Sequence, residues 1–390
     1  TEAFFIPDGT NRIGHGITDS NGTETGCQWI DADNVTGDPS VNFFYAVSTV
    51  KSHLESTDYC RFGVFDFALQ TTETTHYNHI ALSLEADSIH TADDLMHAIP
   101  HCNSVARWNP DLQGYESYIP GIAATNFNVQ PGRCYYVNVT QSGVFTLPGR
   151  LPAPQYHLIT TPTTNFNEVM LPLDQTHITT AAGLLKDIHH CNSVAYWNAA
   201  MQGYQQYIPA LPFTSFPIRT GYPYFVNVTS TVTWPAELPA KAIPAIQIAK
   251  TNRILLHSPH LVWGYLILES PLTLNDISFE AFITSRSVEV LTLNNAGCEI
   301  EESEGQIYWM VQCSSFPSGW DKDDTLHVDF LKEDHMVLGS TEVVLTYSPY
   351  DSADTVVLSD GTGLENSPME TKRFHLGKNY PNPFNPATVI

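Results

Sequence analysis

The segment from Asn78 to Thr140 aligns on Asn167 to Thr229 without a gap, at a fixed offset of 89 residues. An internal repeat constrains a chain strongly, because each copy must be one supersecondary unit with its own strand and helix pattern. His101-Cys102-Asn103-Ser104-Val105-Ala106 recurs as His190-Cys191-Asn192-Ser193-Val194-Ala195. Trp108 matches Trp197, Gln113-Gly114-Tyr115 matches Gln202-Gly203-Tyr204, and Tyr118-Ile119-Pro120 matches Tyr207-Ile208-Pro209. Gly132 matches Gly221, and Val137-Asn138-Val139-Thr140 matches Val226-Asn227-Val228-Thr229. About half of the aligned positions are identical. Upstream, Phe67 and Leu69 face Tyr156 and Leu158, so the module is about as long as the offset and the copies abut at a joint containing Pro148, Pro152 and Pro154.

Each copy reads as a small α+β module. A strand carrying Ile80, Leu82 and Leu84 precedes Thr91, an N-cap residue with Asp94 three positions on. The helix that follows places Leu95 and Ile99 on one face. A hairpin then pairs Ser104–Trp108 with Tyr115–Ile119 and turns at Gln113-Gly114. In the last strand Tyr135, Val137 and Val139 alternate with Tyr136, Asn138 and Thr140, the period of a half-buried strand.

The repeated aromatic residues are the candidate ligand platform: Trp108, Tyr115 and Tyr118, with Trp197, Tyr204 and Tyr207. Such a set can stack on sugars, and cross-strand packing within each module's own hairpin is the commoner reading. The packing reading places Trp108 and Trp197 against their own modules. His101-Cys102 and His190-Cys191 resemble thiol–imidazole pairs on paper. Adjacent strand residues point to opposite faces, so the cysteines are expected to act as small buried apolar groups. Cys134 has no equivalent, since the second copy carries Pro223.

Lys and Arg number 17 against 41 Asp and Glu, a net charge of −24 that repels phosphate backbones and argues against nucleic-acid binding. No stretch is apolar enough for a membrane-spanning helix. The seven cysteines (Cys27, Cys60, Cys102, Cys134, Cys191, Cys298, Cys313) form no C-x-x-C and are odd in number, so a disulfide scaffold is not expected. Beyond the repeats, short alternating runs at His260–Leu268, Ile277–Ile283, Val288–Leu293, Ile307–Val311, Leu326–Phe330 and Glu342–Thr346 predict a β-sandwich of Ig-like type. Within it, a hairpin turning near Glu302–Gly305 sets Cys298 and Cys313 out of register for a disulfide. Asp321, Asp323 and Asp324 are candidate Ca²⁺ ligands without the twelve-residue loop of a calcium hand, and solvated turn carboxylates are the commoner reading. No other cofactor is expected. There is no G-x-S-x-G, H-E-x-x-H or P-loop, so no catalytic residue is assigned.

Two resemblances concern the flanks. Gly37-Asp38-Pro39, Asn42-x-x-Tyr45-x-Val47 and Glu55-Ser56 resemble the later strands of a fibronectin type III domain whose opening strands are missing. At the other end, Asn379-Tyr380-Pro381-Asn382-Pro383-Phe384-Asn385-Pro386, followed by Thr388-Val389-Ile390, resembles the opening of the type A C-terminal sorting domain of type IX secretion substrates. That resemblance implies export to the bacterial cell surface or medium through the type IX machinery. Only the first fifteen or so residues of the sorting domain are present, and the tail is expected to be extended.

The expected organisation is multidomain and mainly β. It comprises a partial fibronectin type III-like domain at 1–66, repeat modules at 67–153 and 154–242, and a sandwich at 243–350. A linker at 351–375 and the truncated sorting domain at 376–390 complete it. The chain begins at Thr1 with no leader, and together with the incomplete ends this is read as a fragment of a larger secreted protein. The expected role is a non-catalytic stalk or adhesion region, with surface glycans or proteins as partners. Its alternatives are the accessory tail of an exported hydrolase with its catalytic domain upstream, or a pair of glycan-binding modules.

Overall fold

The computed structural model describes residues 41–48, 59–72, 76–235, 257–332 and 335–359, with short pieces at 3–5, 7, 38, 40, 50–51 and 54–55. The chain is multidomain and mainly β, its sheets largely antiparallel, with two short α-helices among the described residues. Strand β1 (Phe43–Val47) leads through a small ladder, β2 (Val50–Lys51) with β3 (Leu54–Glu55), into the ten-residue β4 (Cys60–Leu69). The first repeat then runs β5 (Tyr77–Ala81), α1 (Ala92–Ala98), β6 (Cys102–Asn109), β7 (Gly114–Tyr118), β8 (Cys134–Val139) and β9 (Gly143–Arg150). Four of these strands form a sheet in the order β5-β8-β6-β7, while β9 pairs with β4.

Local chemistry sets these elements. Thr91 caps α1: its hydroxyl accepts from Asp94 N at 3.2 Å, and the Asp94 carboxylate accepts from Thr91 N at 2.9 Å. The capping box anticipated at Thr91 and Asp94 is therefore formed. Ala92 and Leu95 of α1 are buried against one face of the sheet. The hairpin joins Trp108 to Tyr115 and Val105 to Tyr118, and a bulge separates Cys102 from Ser104.

The second repeat reproduces the first. It runs β10 (Tyr156–Leu158), β11 (Phe166–Met170), α2 (Ala181–Asp187), β12 (Cys191–Asn198), β13 (Gly203–Tyr207), β14 (Pro223–Val228) and β15 (Val232–Trp234). Its sheet order is β11-β14-β12-β13, its hairpin joins Trp197 to Tyr204, and its bulge lies between Cys191 and Ser193. Even the small flanking pair recurs, since Phe67 faces Phe145 in one copy as Tyr156 faces Trp234 in the other.

The third unit is a two-sheet sandwich. It is built from β16 (Leu261–Leu268), β17 (Ile277–Ile283), β18 (Val290–Leu291), β19 (Glu299–Ser303), β20 (Gln306–Gln312), β21 (Thr325–Lys332), β22 (Val337–Val344), β23 (Tyr350–Ser352) and β24 (Val356–Leu358). One sheet is ordered β19-β20-β16 with β23 and β24 both on β16, and the other is ordered β18-β17-β21-β22. Trp309, Phe279, Phe330 and Leu326 fill the space between them. Cys298 and Cys313 are buried free thiols within it, and the hairpin register sets Glu299 against Met310.

Three expectations are corrected. The boundary at 66/67 falls inside β4, which pairs with β9 from Phe62 to Leu69, so residues 60–66 belong to the first repeat's small sheet. The strand is also held from the other side, as Phe65 packs edge-on against Tyr222 of the second repeat. The linker expected to begin at 351 starts instead with sandwich structure, because β23 and β24 pair in parallel with β16 as far as Leu358. Finally, β8 is not half-buried: Tyr135, Tyr136, Val137 and Val139 are all enclosed. One face meets α1, and the other meets the second repeat.

Candidate functional site

The most chemically dense region lies where the two repeats meet. Trp108 donates its indole N–H to the Phe166 carbonyl at 2.9 Å, and Trp197 donates its own to the Tyr77 carbonyl at 2.9 Å. Tyr77 and Phe166 are equivalent residues of the repeat, as are Trp108 and Trp197. A contact from first to second copy is thus matched by its mirror from second to first, the signature of an isologous, two-fold interface. The glutamines of the hairpin turns obey the same rule. Gln113 accepts from Phe166 N at 2.8 Å and donates to Phe166 O at 3.0 Å, while Gln202 accepts from Tyr77 N at 2.8 Å and donates to Tyr77 O at 2.9 Å. Each glutamine amide closes the open backbone edge of the facing repeat's first sheet strand.

Aromatic rings fill the space inside. Trp108, Tyr136, Phe166, Tyr204 and Phe225 form one buried cluster, flanked by Tyr77, Tyr115 and Trp197. Their contacts are mostly edge-to-face, as between Trp108 and Tyr115, Trp197 and Tyr204, and Tyr136 and Trp197. Tyr115 and Tyr204, again equivalent residues, meet hydroxyl to hydroxyl, and Tyr136 joins them at 2.7 Å from the Tyr204 hydroxyl. Burial above all pushes the phenols of Tyr115, Tyr136 and Tyr204 above the usual tyrosine range.

The anticipated platform is therefore not an open surface. Trp108, Tyr115, Trp197 and Tyr204 hold the repeats together, and each tryptophan packs on the tyrosine of its own hairpin and on the opposite module as well. Tyr118 and Tyr207 lie on the other face of the hairpins, in the core shared with the helices, where the Tyr118 hydroxyl donates to Asp93 at 2.6 Å. Residues three apart on a strand face opposite ways, so Tyr115 and Tyr118 cannot share a platform.

One ionisable cluster lies in this interface. His79 on β5 sits opposite Tyr136 of β8, and Cys134 lies two residues from Tyr136 on the same face. The His79 ring stacks on Tyr136 at 4.2 Å between centroids. Glu168, the equivalent of His79 in the second repeat, approaches across the interface, with Oε1 3.1 Å from His79 Nε2. These side chains are only 2% and 8% exposed. The approach is close but misaligned: neither His79 nitrogen nor Glu168 Oε1 makes a well-formed hydrogen bond. Donor atoms of His79, Cys134 and Glu168 all fall within 4.8 Å of one another. Sequence reasoning passed over this group, because its members are distant in the chain and only the repeat offset links His79 to Glu168.

The remaining candidates separate. Cys102 and Cys191 direct their thiols to the Ser104 and Ser193 carbonyls at 3.4 and 3.3 Å, and burial pushes them up to about 11 and about 12. Thiols so protonated at neutral pH are poor nucleophiles. Asp321, Asp323 and Asp324 do not converge: Asp324 accepts from Arg286 at 3.0 Å and from Asp321 N at 2.9 Å, while Asp323 lies beside Lys322 at 3.9 Å. The sorting-motif residues 379–386 lie outside the described residues.

The second repeat is also tied to the sandwich. Gln206 donates to the Pro349 carbonyl at 3.0 Å and meets the Gln312 amide at 3.2 Å. Around them Ile208, Leu211, Leu261 and Met310 form a separate buried cluster. No described helix is long and apolar enough to cross a membrane.

No family model and no curated protein matches the chain. Among solved structures it is similar to the crystal structure of a "putative adhesin" from Bacteroides ovatus, at 7% identity and a TM-score of 0.17, over 75% of this chain and 93% of that one. A likeness so slight defines neither fold nor function.

Proposed function

We propose that this chain is a non-catalytic stalk or adhesion region of a larger modular protein exported by type IX secretion to the bacterial cell surface. The observation that carries the reading is that the repeated residues with the most chemical potential are engaged in joining domains. Trp108, Trp197, Gln113 and Gln202 lock one repeat to the other, and Gln206 with Gln312 locks the second repeat to the sandwich. Domains interlocked in series suit the presentation of something at a distance from an anchor. The run from Asn379 to Pro386 supports the export route through its resemblance to the sorting-domain opening. Glycan binding through Trp108 and Trp197 loses its basis, since both rings lie within the interface.

The test is made in the bacterium that encodes the protein, with an antibody raised against this chain. The complete gene product is expected on intact cells or in the medium, and deletion from Asn379 onward is expected to trap it in the periplasm. Unchanged surface exposure after that deletion would refute the export reading. A catalytic activity measured in the isolated chain would refute the non-catalytic one.

A further inference from the structure

We propose that His79, Cys134 and Glu168 form a zinc site that staples the two repeats together. The first two residues come from the first repeat and the third from the second, so the donor set is complete only when the modules are paired. A buried carboxylate and imidazole normally carry well-formed hydrogen bonds, because leaving such groups unmade in a dry interior is costly. Here both His79 nitrogens and Glu168 Oε1 lack them, although the side chains are almost wholly enclosed. All three donors instead surround a common point, no two of them more than 4.8 Å apart.

The chemistry of the set selects the ion. One thiolate, one imidazole and one carboxylate suit a borderline-soft cation such as Zn²⁺ far better than Ca²⁺ or Mg²⁺, which take oxygen ligands. Ordinary zinc bond lengths place tetrahedral donors about 3.4–3.8 Å apart, so the observed spacing needs only small rotamer adjustments to close. Binding would release the Cys134 proton to solvent and replace an uncompensated contact with three coordinate bonds. The site also uses the places where the repeats diverge. Exact symmetry would oppose two identical residues at positions 79 and 168 and give Cys134 a twin where Pro223 stands. The divergence sets three different donors together where the repeats meet, with Cys134 lacking a twin.

The full 390-residue chain is unfolded with chelator and reductant, then refolded with one equivalent of Co²⁺ or Zn²⁺, because the closed interface must be loaded as it forms. Cobalt is expected to give thiolate-to-metal charge-transfer absorption and the visible bands of a four-coordinate ion, its fourth ligand a water carried in with the metal, displaced on adding zinc. Those bands should vanish in Cys134→Ser, weaken in Glu168→Gln and persist in Cys102→Ser. Zinc should raise the melting temperature of the wild type by several degrees and that of Glu168→Gln by clearly less. Identical cobalt spectra for wild type and Cys134→Ser would overturn the proposal. So would a refolded wild type whose spectrum and melting temperature ignore both metals, in which case the cluster is a buried ion pair. If Cys134→Ser does not refold, Glu168→Gln and Cys134→Ala carry the same comparison, and persistence of the charge-transfer band in the alanine variant overturns the proposal.

Discussion

Gln113 and Gln202 occupy equivalent hairpin turns, and each reaches across to hydrogen-bond the backbone N–H and C=O of one residue in the other repeat. Both do so from the left-handed region, with φ of 47° and 50°, where glycine would be the undemanding choice. The side chain therefore contributes something that outweighs the backbone cost. It satisfies the exposed edge of β5 or β11, which would otherwise be buried unpaired.

Substitution of Gln113 by glycine separates these two effects. Relief of the positive φ alone would stabilise by up to about 1 kcal/mol. Loss of the amide leaves Phe166 N and the Thr164 hydroxyl without their partner, at a cost of about 1–3 kcal/mol for each buried group left unsatisfied, while Phe166 O keeps the Trp108 indole N–H. Gln113→Gly is expected to lower the free energy of unfolding in urea. A more stable variant would show that the turn conformation governs.

Trp108 is 6% exposed, and truncating it opens a large cavity at the centre of the interface. Trp108→Ala is expected to destabilise by about 3–5 kcal/mol, the range for removing a large buried aromatic side chain. Trp197 is less enclosed, and its replacement should cost less. Denaturant titration followed by circular dichroism checks both; a loss below about 1 kcal/mol for Trp108→Ala would contradict the packing described.

The three phenols offer a graded series. Tyr204 bonds both Tyr115 and Tyr136, so Tyr204→Phe removes two hydrogen bonds from this buried cluster. Tyr136→Phe removes only one, and phenylalanine is already the native residue at the equivalent position 225. The expected order of destabilisation is Tyr204→Phe well above Tyr136→Phe, the latter about 0.5–1.5 kcal/mol. Equal effects in a urea series would mean that the hydroxyls do not act as a chain.

Much of this architecture is legible in the sequence. The repeat, its capped helix at Thr91, its hairpin at Gln113-Gly114 and most strands of the sandwich follow from periodicity and turn chemistry. The pairing of the repeats does not, because a strand with alternating side chains looks half-buried until a second sheet covers its other face, as happens to β8. That hidden contact adds an interface to the hairpin packing of Trp108 and Trp197. The opposed facing of Tyr115 and Tyr118 was available from their odd spacing alone. The cluster of His79, Cys134 and Glu168 was not, since it depends on which faces meet. The strands at 350–352 and 356–358 escaped notice because each is only three residues long and pairs in parallel across a long separation.

His327 gives a pH dependence with a definite sign. It bridges Asp329 at 2.9 Å and Glu342 at 3.1 Å on β21 and β22, with Phe282 beside its ring. Burial pulls its pKa down, but the two carboxylates outweigh that and hold it above the ordinary 6.5. A pKa raised on folding means that the protonated imidazole is stabilised in the native state. Its contribution is full below about pH 6 and is lost as the pH rises through the raised folded value. The difference in melting temperature between wild type and His327→Gln should therefore shrink across that rise. A difference constant from pH 5 to pH 9 would rule the bridge out as a source of stability.

The end of the sandwich gives the last test. If the domain stopped at residue 350, a chain truncated there would melt like one ending at 360. The structure argues otherwise on three counts. Asp351 accepts from Thr346 N and Oγ1, both at 2.7 Å, and lies 3.2 Å from Nε2 of the fully buried His260. Strands β23 and β24 cover the free edge of β16. Leu358 is wholly buried and Val356 nearly so, and together they close that end of the core. Truncation at 350 should therefore lower the melting temperature well below that of the 360 end point, and Leu358→Ala alone should cost about 2–5 kcal/mol. Asp351 adds a pH signature. Burial would raise its pKa, but the close approach of His260 and the bonds from Thr346 prevail and lower it below the ordinary 3.8. Its stabilisation is thus present above that value and lost as the pH falls through the lowered one. Asp351→Asn should flatten that acid limb, and equal melting temperatures for the two truncations would return residues 351–358 to the linker.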